Sequence, residues 1–132
     1  MTNKKEDMQR MTKMVVENFK ELMRHSSDEG LKWRASKRDL VELSHLVWET
    51  NLMRDERGMP LSFSVIVDRI FKVLNTSVPK SPTAVYANLL KRKNIRSCSV
   101  TERYMYLLQE NAVKDPMRLD IKRMKRGGVI GM

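Results

Sequence analysis

The chain has 132 residues, enough for one domain with a real core and too few for two large ones. An apolar fraction of 41% beside a charged fraction of 32% describes a soluble globular chain rather than a disordered one. The net charge of +10 is uneven: residues 1–30 balance to zero, residues 31–79 carry +2, and residues 80–132 hold twelve Lys/Arg against four Asp/Glu, a net of +8. Such asymmetry points to a polyanionic partner, and cations interleaved with apolar core positions favour nucleic acid over a membrane surface.

The elements follow in chain order. Residues 4–24 read as an amphipathic helix, with Met8, Met11, Met14, Val15, Val16, Phe19, Leu22 and Met23 at three- and four-residue spacing. Its methionines suit core gaps or a partner groove. His25 to Gly30 is a polar linker, and Leu31-Lys32-Trp33 a short apolar lead-in. Ser36 with Asp39 has capping-box form and opens a second helix to about Thr50, with Leu40, Val41, Leu43, Val47 and Trp48 on its buried face. Arg54 to Pro60 is a turn. Ser62 or Ser64 caps a third helix carrying Val65 through Leu74, and Pro79 prevents any helix from continuing through the next connection. Ser81 and Pro82 open a fourth helix, with Val85, Leu89 and Leu90 along one side and Tyr86 on the neighbouring stripe. Ser99 with Glu102 opens a fifth, marked by Val100, Tyr104, Met105, Leu107, Leu108 and Val113, and Asp115-Pro116 ends it. Lys122, Arg123, Lys125 and Arg126 lie in a basic tail that reads as loosely ordered. No strand pattern stands out. The expected fold is all-α, a compact bundle of about five helices with a helix-turn-helix-like core and no clear hairpin to serve as a wing. The expected division is an amino-terminal helix and linker over 1–30, a helical DNA-binding-like domain over 31–114, and a flexible tail over 115–132.

Several chemistries lack their residues. No apolar run approaches the twenty or so residues of a membrane span. The segment MTNKKEDMQR has no apolar core of a secretion signal, and Cys98 is the only thiol, which together fit a reducing cytoplasm. His25 and His45 stand twenty residues apart with no cysteine or carboxylate at ligand spacing, so no metal site is expected, and His45 reads as a core-edge residue. The five glycines are scattered and form no phosphate-cradling loop. Nothing assembles an acid, a base and a nucleophile, so the expectation is a non-enzyme without cofactor or small-molecule substrate.

The densest basic stretch follows the fourth helix: Lys91, Arg92, Lys93 and Arg96 fall within six residues. Cations in a last helical turn also meet the negative end of the helix dipole with no ligand required. The charge asymmetry of the whole chain favours a polyanion-binding role.

Residues 31–113 resemble the carboxy-terminal part of the RteC family, regulators carried on conjugative transposons of Bacteroides-type bacteria. The resemblance rests on LKW at 31–33, Ser36-Lys37 followed by Leu40-Val41-Glu42-Leu43, the Phe71 helix, Tyr86, and an R-K-x-x-R-[ST] signature at Arg92-Lys93-Asn94-Ile95-Arg96-Ser97. It implies a DNA-binding transcription regulator of helix-turn-helix or winged-helix character, in which the Ser62–Leu74 helix supports Pro82–Asn94 as the recognition helix. The chain departs from the family pattern after Ser97, where Cys98, Ser99 and Val100 replace a phenylalanine–leucine pair.

Recognition helices offer base edges their amino-terminal side chains, while cations at the far end suit phosphates. The DNA-binding candidates are therefore Lys80, Thr83, Asn88, Lys91, Arg92, Lys93, Arg96 and Arg103, with Tyr86 open between base contact and core. Double-stranded DNA is the expected partner, and a second copy of the chain is a candidate partner through the first helix. Two rival readings are a helical protein–protein interaction module without nucleic-acid binding, and an RNA binder, for which an exposed aromatic platform is hard to find.

Overall fold

Serine side chains open four of the five α-helices among the described residues. The computed structural model describes residues 4–91, 99–110 and 113–124. Its helices are α1 (Lys4–Leu22), α2 (Lys37–Thr50), α3 (Phe63–Val73), α4 (Pro82–Lys91) and α5 (Val100–Gln109), joined by two short strands, β1 (Leu31–Trp33) and β2 (Ile121–Arg123). Ser36, Ser62, Ser81 and Ser99 each accept a hydrogen bond from the backbone N–H three residues on, at 3.1–3.3 Å. That bond satisfies a donor which a free helix end leaves unpaired. The capping box at Ser99 is complete, because the Glu102 carboxylate returns to the Ser99 N–H. At Ser36 the serine half forms, while Asp39 directs its carboxylate to Arg103.

All five helices form the expected all-α bundle. Met11, Val15, Val16, Phe19 and Leu22 of α1 enter the same core as Leu40, Val41, Leu43 and Val47 of α2, the α3 stripe from Ile66 to Val73, and Val100, Tyr104 and Leu108 of α5. The apolar stripe of α1 thus lies inside the bundle, against α2, α3 and α5. Residues 1–30 and 31–114 share this core. No helix of the described residues is long and apolar enough to cross a membrane.

One small sheet was absent from the sequence reading. β1 pairs antiparallel with β2, placing Leu31 opposite Arg123, Lys32 opposite Lys122 and Trp33 opposite Ile121. The segment before β2 is likewise ordered: Pro116–Asp120 forms a 3-10 turn whose Met117 is wholly buried. Its start is held by the buried Asn18, which donates to Asp115 at 2.8 Å, and its middle by Arg118, which donates to Glu21 at 2.5 Å. Of the tail expected to be loose, residues 115–124 therefore close over the bundle, and residues 125–132 lie outside the described ones. Three-residue strands whose partners lie far apart in the chain leave no periodic signal in the sequence.

Two turns set the geometry around α3. The Arg54–Pro60 turn is closed by an antiparallel bridge and by Asp55 Oδ1, which accepts from Arg57 N and Met59 N at 2.8 and 3.0 Å. Gly58 supplies the positive φ of 82° that a side chain would resist there. After α3, Asn75 adopts φ 51°, which asparagine tolerates, and its amide donates to the backbone oxygens of Ser27 and Leu31 at 2.9 Å each. Asn75 thus ties the end of α3 to the edge of β1.

Candidate nucleic-acid interface

Helix α4 is unlike the other four in burying no residue completely. Val85, Tyr86 and Leu89 are half-buried, and the helix rests chiefly on α2. The seat is aromatic: the Tyr86 ring stacks on His45 with centroids 3.6 Å apart and planes 10° from parallel. Trp48 and Phe63 meet the same imidazole edge-on at 5.2 and 5.5 Å. His45 Nδ1 lies 3.2 Å from Glu49, one turn along α2. His45 is thus the core-edge residue expected, and Tyr86 resolves toward packing. Burial pushes the Tyr86 hydroxyl above its ordinary pKa, with Glu49 and Glu42 adding to the effect, so it stays a neutral phenol.

The support for α4 differs from expectation. α3 was expected to carry it, whereas α2 does, and α2 also carries α3. The connection between α3 and α4 is long, and Leu74 and Asn75 within it are committed to β1. α3 therefore reaches α4 through Phe63 and the His45 cluster rather than along its length.

The outward face of α4 carries Thr83, Ala84, Ala87, Asn88 and Lys91, all exposed, with Lys80 exposed just before the helix. These positions recur at three- and four-residue steps and so occupy one side. Four of the proposed contacts, Lys80, Thr83, Asn88 and Lys91, are consequently brought to the α4 surface. Arg92, Lys93 and Arg96 lie outside the described residues.

Arg103, also expected at the DNA surface, pairs with carboxylates of its own chain. Its guanidinium donates to Asp120 Oδ1 and Oδ2 at 3.1 and 3.0 Å and to Asp39 Oδ2 at 3.2 Å. The Tyr104 hydroxyl donates to the same Asp120 at 2.6 Å. Arg103 thereby ties α5 to α2 and to the segment before β2, with its side chain 37% exposed. Burial and the neighbouring Asp120 carboxylate push the Tyr104 hydroxyl far above its ordinary pKa. Burial also raises the Asp39 carboxyl, with Arg103 partly offsetting it. The sequence offered no signal for this pairing, because the two carboxylates stand 64 and 17 residues from Arg103.

A half-buried carboxyl also links α2 to α5. Glu42 Oε2 accepts from the Thr101 hydroxyl at 3.2 Å, and its pKa is raised, first by burial and then by the charges of Asp39 and Glu102. A carboxyl with a raised folded-state pKa holds its proton more tightly folded than unfolded. Its ionisation therefore removes stability as pH climbs from the ordinary glutamate value of 4.5 through the raised one. Glu42→Gln keeps an acceptor for Thr101 and removes the charge. It should melt above wild type at pH 7, with the difference closing as pH falls below 4.5. Thermal melts across pH check this, and a lower melting point at pH 7 would contradict it.

Two further features escaped the sequence reading. Lys37 bonds through its ammonium to the Ser77 hydroxyl, three residues before Lys80. Asn75 organises the approach to α4, and its only local sign was an asparagine closing an apolar helix. Among the described residues, no group of three or more His, Cys, Asp or Glu side chains could hold a metal ion. Comparison of the chain with protein-family models, with curated proteins and with solved structures finds no match.

Proposed function

We propose that this chain is a small DNA-binding transcription regulator of helix-turn-helix type that presents α4 to duplex DNA. The observation that carries the reading is the half-buried helix α4, seated on α2 and turning Thr83, Asn88 and Lys91 outward, within a region of net charge +8. A helix that served only the core would bury a side. The arrangement of α3 and α4 on a common helix α2 supports a three-helix unit of the kind that sets a recognition helix in the major groove. Thr83 and Asn88 are the side chains suited to base edges, and Lys80 and Lys91 suit phosphates, as do Arg92, Lys93 and Arg96 by sequence. The resemblance to the RteC family adds the setting, a cytoplasmic regulator of a mobile genetic element. The role requires no cofactor and no catalysis.

Binding to short duplex DNA should be present at low salt and fall as salt rises. Each phosphate contact contributes roughly 0.9 to the slope of log affinity against log salt. The variant Arg92→Ala/Lys93→Ala/Arg96→Ala should therefore lose up to about 2.7 of that slope while retaining the wild-type circular dichroism spectrum. Absence of duplex binding by wild type at low salt would end this reading.

That outcome would promote the protein-interaction reading, which one observation favours. Trp48, Leu52 and Met59 remain 39%, 51% and 61% exposed at the end of α2 and in the turn after it. Exposed apolar side chains of this size suit a protein partner more than a phosphate backbone.

A further inference from the structure

The outer face of the small sheet carries two opposed cations. Alternate residues of a strand share a face, so Leu31 and Trp33 turn inward, and Lys32 faces out directly opposite Lys122. Directly opposed residues bring their Cβ atoms to about 5 Å, where like charges oppose pairing. A two-stranded ribbon has little stability to spare for that repulsion. Among the described residues neither lysine makes an ion pair. Lys32 Nζ donates to the backbone oxygen of Asn75 at 3.4 Å.

The position of this pair gives it a use. The edge of β1 away from β2 is taken by the connection that leads into α4: Trp33 N donates to Leu74 O at 3.3 Å, and the Asn75 amide to Leu31 O at 2.9 Å. The same connection then passes Ser77, held by Lys37, and reaches Lys80 after three more residues, a span of at most about 10 Å. The connection thus runs from Lys32, at Asn75, past Lys37, at Ser77, to Lys80 at the start of α4, and Asn75 stands at most about 17 Å from Lys80 along it.

We propose that the outer face of the β1–β2 sheet is a second contact for the phosphodiester backbone of the duplex bound by α4, with Lys32 and Lys122 straddling one stretch of phosphate. This inference rests on the DNA-binding reading above. An anion between the two ammonium groups replaces their repulsion with two attractions, and a duplex seated on the start of α4 supplies one where the connection meets β1. The sheet would do the work of a wing with residues drawn from distant parts of the chain.

The test is a salt series on short duplex DNA with wild type, Lys32→Gln/Lys122→Gln and Lys32→Arg/Lys122→Arg, beside thermal melts of each. The glutamine variant should lose about 1.8 of the salt slope, roughly 0.9 per lysine, and the arginine variant should keep it. The glutamine variant should melt at or above wild type, because the opposed charges are gone. An unchanged slope in a wild-type protein that binds would overturn this inference and leave the α4 reading standing. A glutamine variant that melts below wild type would overturn it by making the lysines structural, and Lys122→Gln alone, at the more exposed position, repeats the slope measurement in a folded background. No duplex binding by wild type would remove both proposals together.

Discussion

Removal of residues 1–27 should leave a chain that no longer melts cooperatively. α1 places Met11, Val15, Val16, Phe19 and Leu22 in the core, four of them with no exposed surface. Burial of such a side chain contributes roughly 1.5–3 kcal/mol, so the five together approach about 10 kcal/mol as an upper bound. That is comparable to the whole stability of an ordinary domain, about 5–15 kcal/mol. The deletion also strips the partners from three links: Asp115 loses Asn18, Arg118 loses Glu21, and Gln109 loses Asp7. A milder version is Phe19→Ala, which should cost about 3–5 kcal/mol through the cavity it leaves. Thermal melts with size-exclusion mass measurement check both. A deleted chain that stays monomeric and melts as wild type would show that α1 is an appendage. The same geometry bears on self-association, because most of the apolar stripe of α1 is covered within one chain, with Met8 left 39% exposed.

The second large effect is expected at Asp120. Its carboxylate, 8% exposed as a residue, receives Arg103 through both oxygens and the hydroxyl of the wholly buried Tyr104. Asp120→Ala would leave a buried phenol without an acceptor and deprive Arg103 of its closer partner. Loss of one member of a buried pair costs about 3–5 kcal/mol, but the Arg103 side chain is 37% exposed and solvent recovers part of that. The expected loss is therefore about 3 kcal/mol, read by denaturant unfolding. Asp120→Asn should lose less, since its carbonyl still accepts from Tyr104. A double-mutant cycle with Tyr104→Phe isolates the phenol bond, and near-additivity there would show that Tyr104 and Asp120 act independently. An Asp120→Ala protein as stable as wild type would remove this network from the account of the fold.

These two predictions concern links of different kinds. The helices themselves were legible in the residues because their signals are local. A serine cap acts over three positions and an apolar stripe over seven or eight, so Ser36, Ser62, Ser81 and Ser99 marked helix starts, and α1 to α5 fell near their expected bounds. The candidate surface was legible in part. Lys80, Thr83, Asn88 and Lys91 lie exposed at α4, as a helix opening at Pro82 and packed on one side requires.

The sequence by itself determined the helical class, the helix starts and the concentration of positive charge after residue 80. The tertiary structure alone decided how those parts meet. It set α4 on α2 through the His45–Tyr86 stack, turned Arg103 from a surface cation into the link between Asp39 and Asp120, and drew Ile121–Arg123 back to pair with Leu31–Trp33. Each of these depends on which faces approach across long stretches of chain. An arginine has the same local pattern whether it meets a carboxylate or a phosphate, and a three-residue strand has no period. Packing chose between alternatives that the local chemistry left equal.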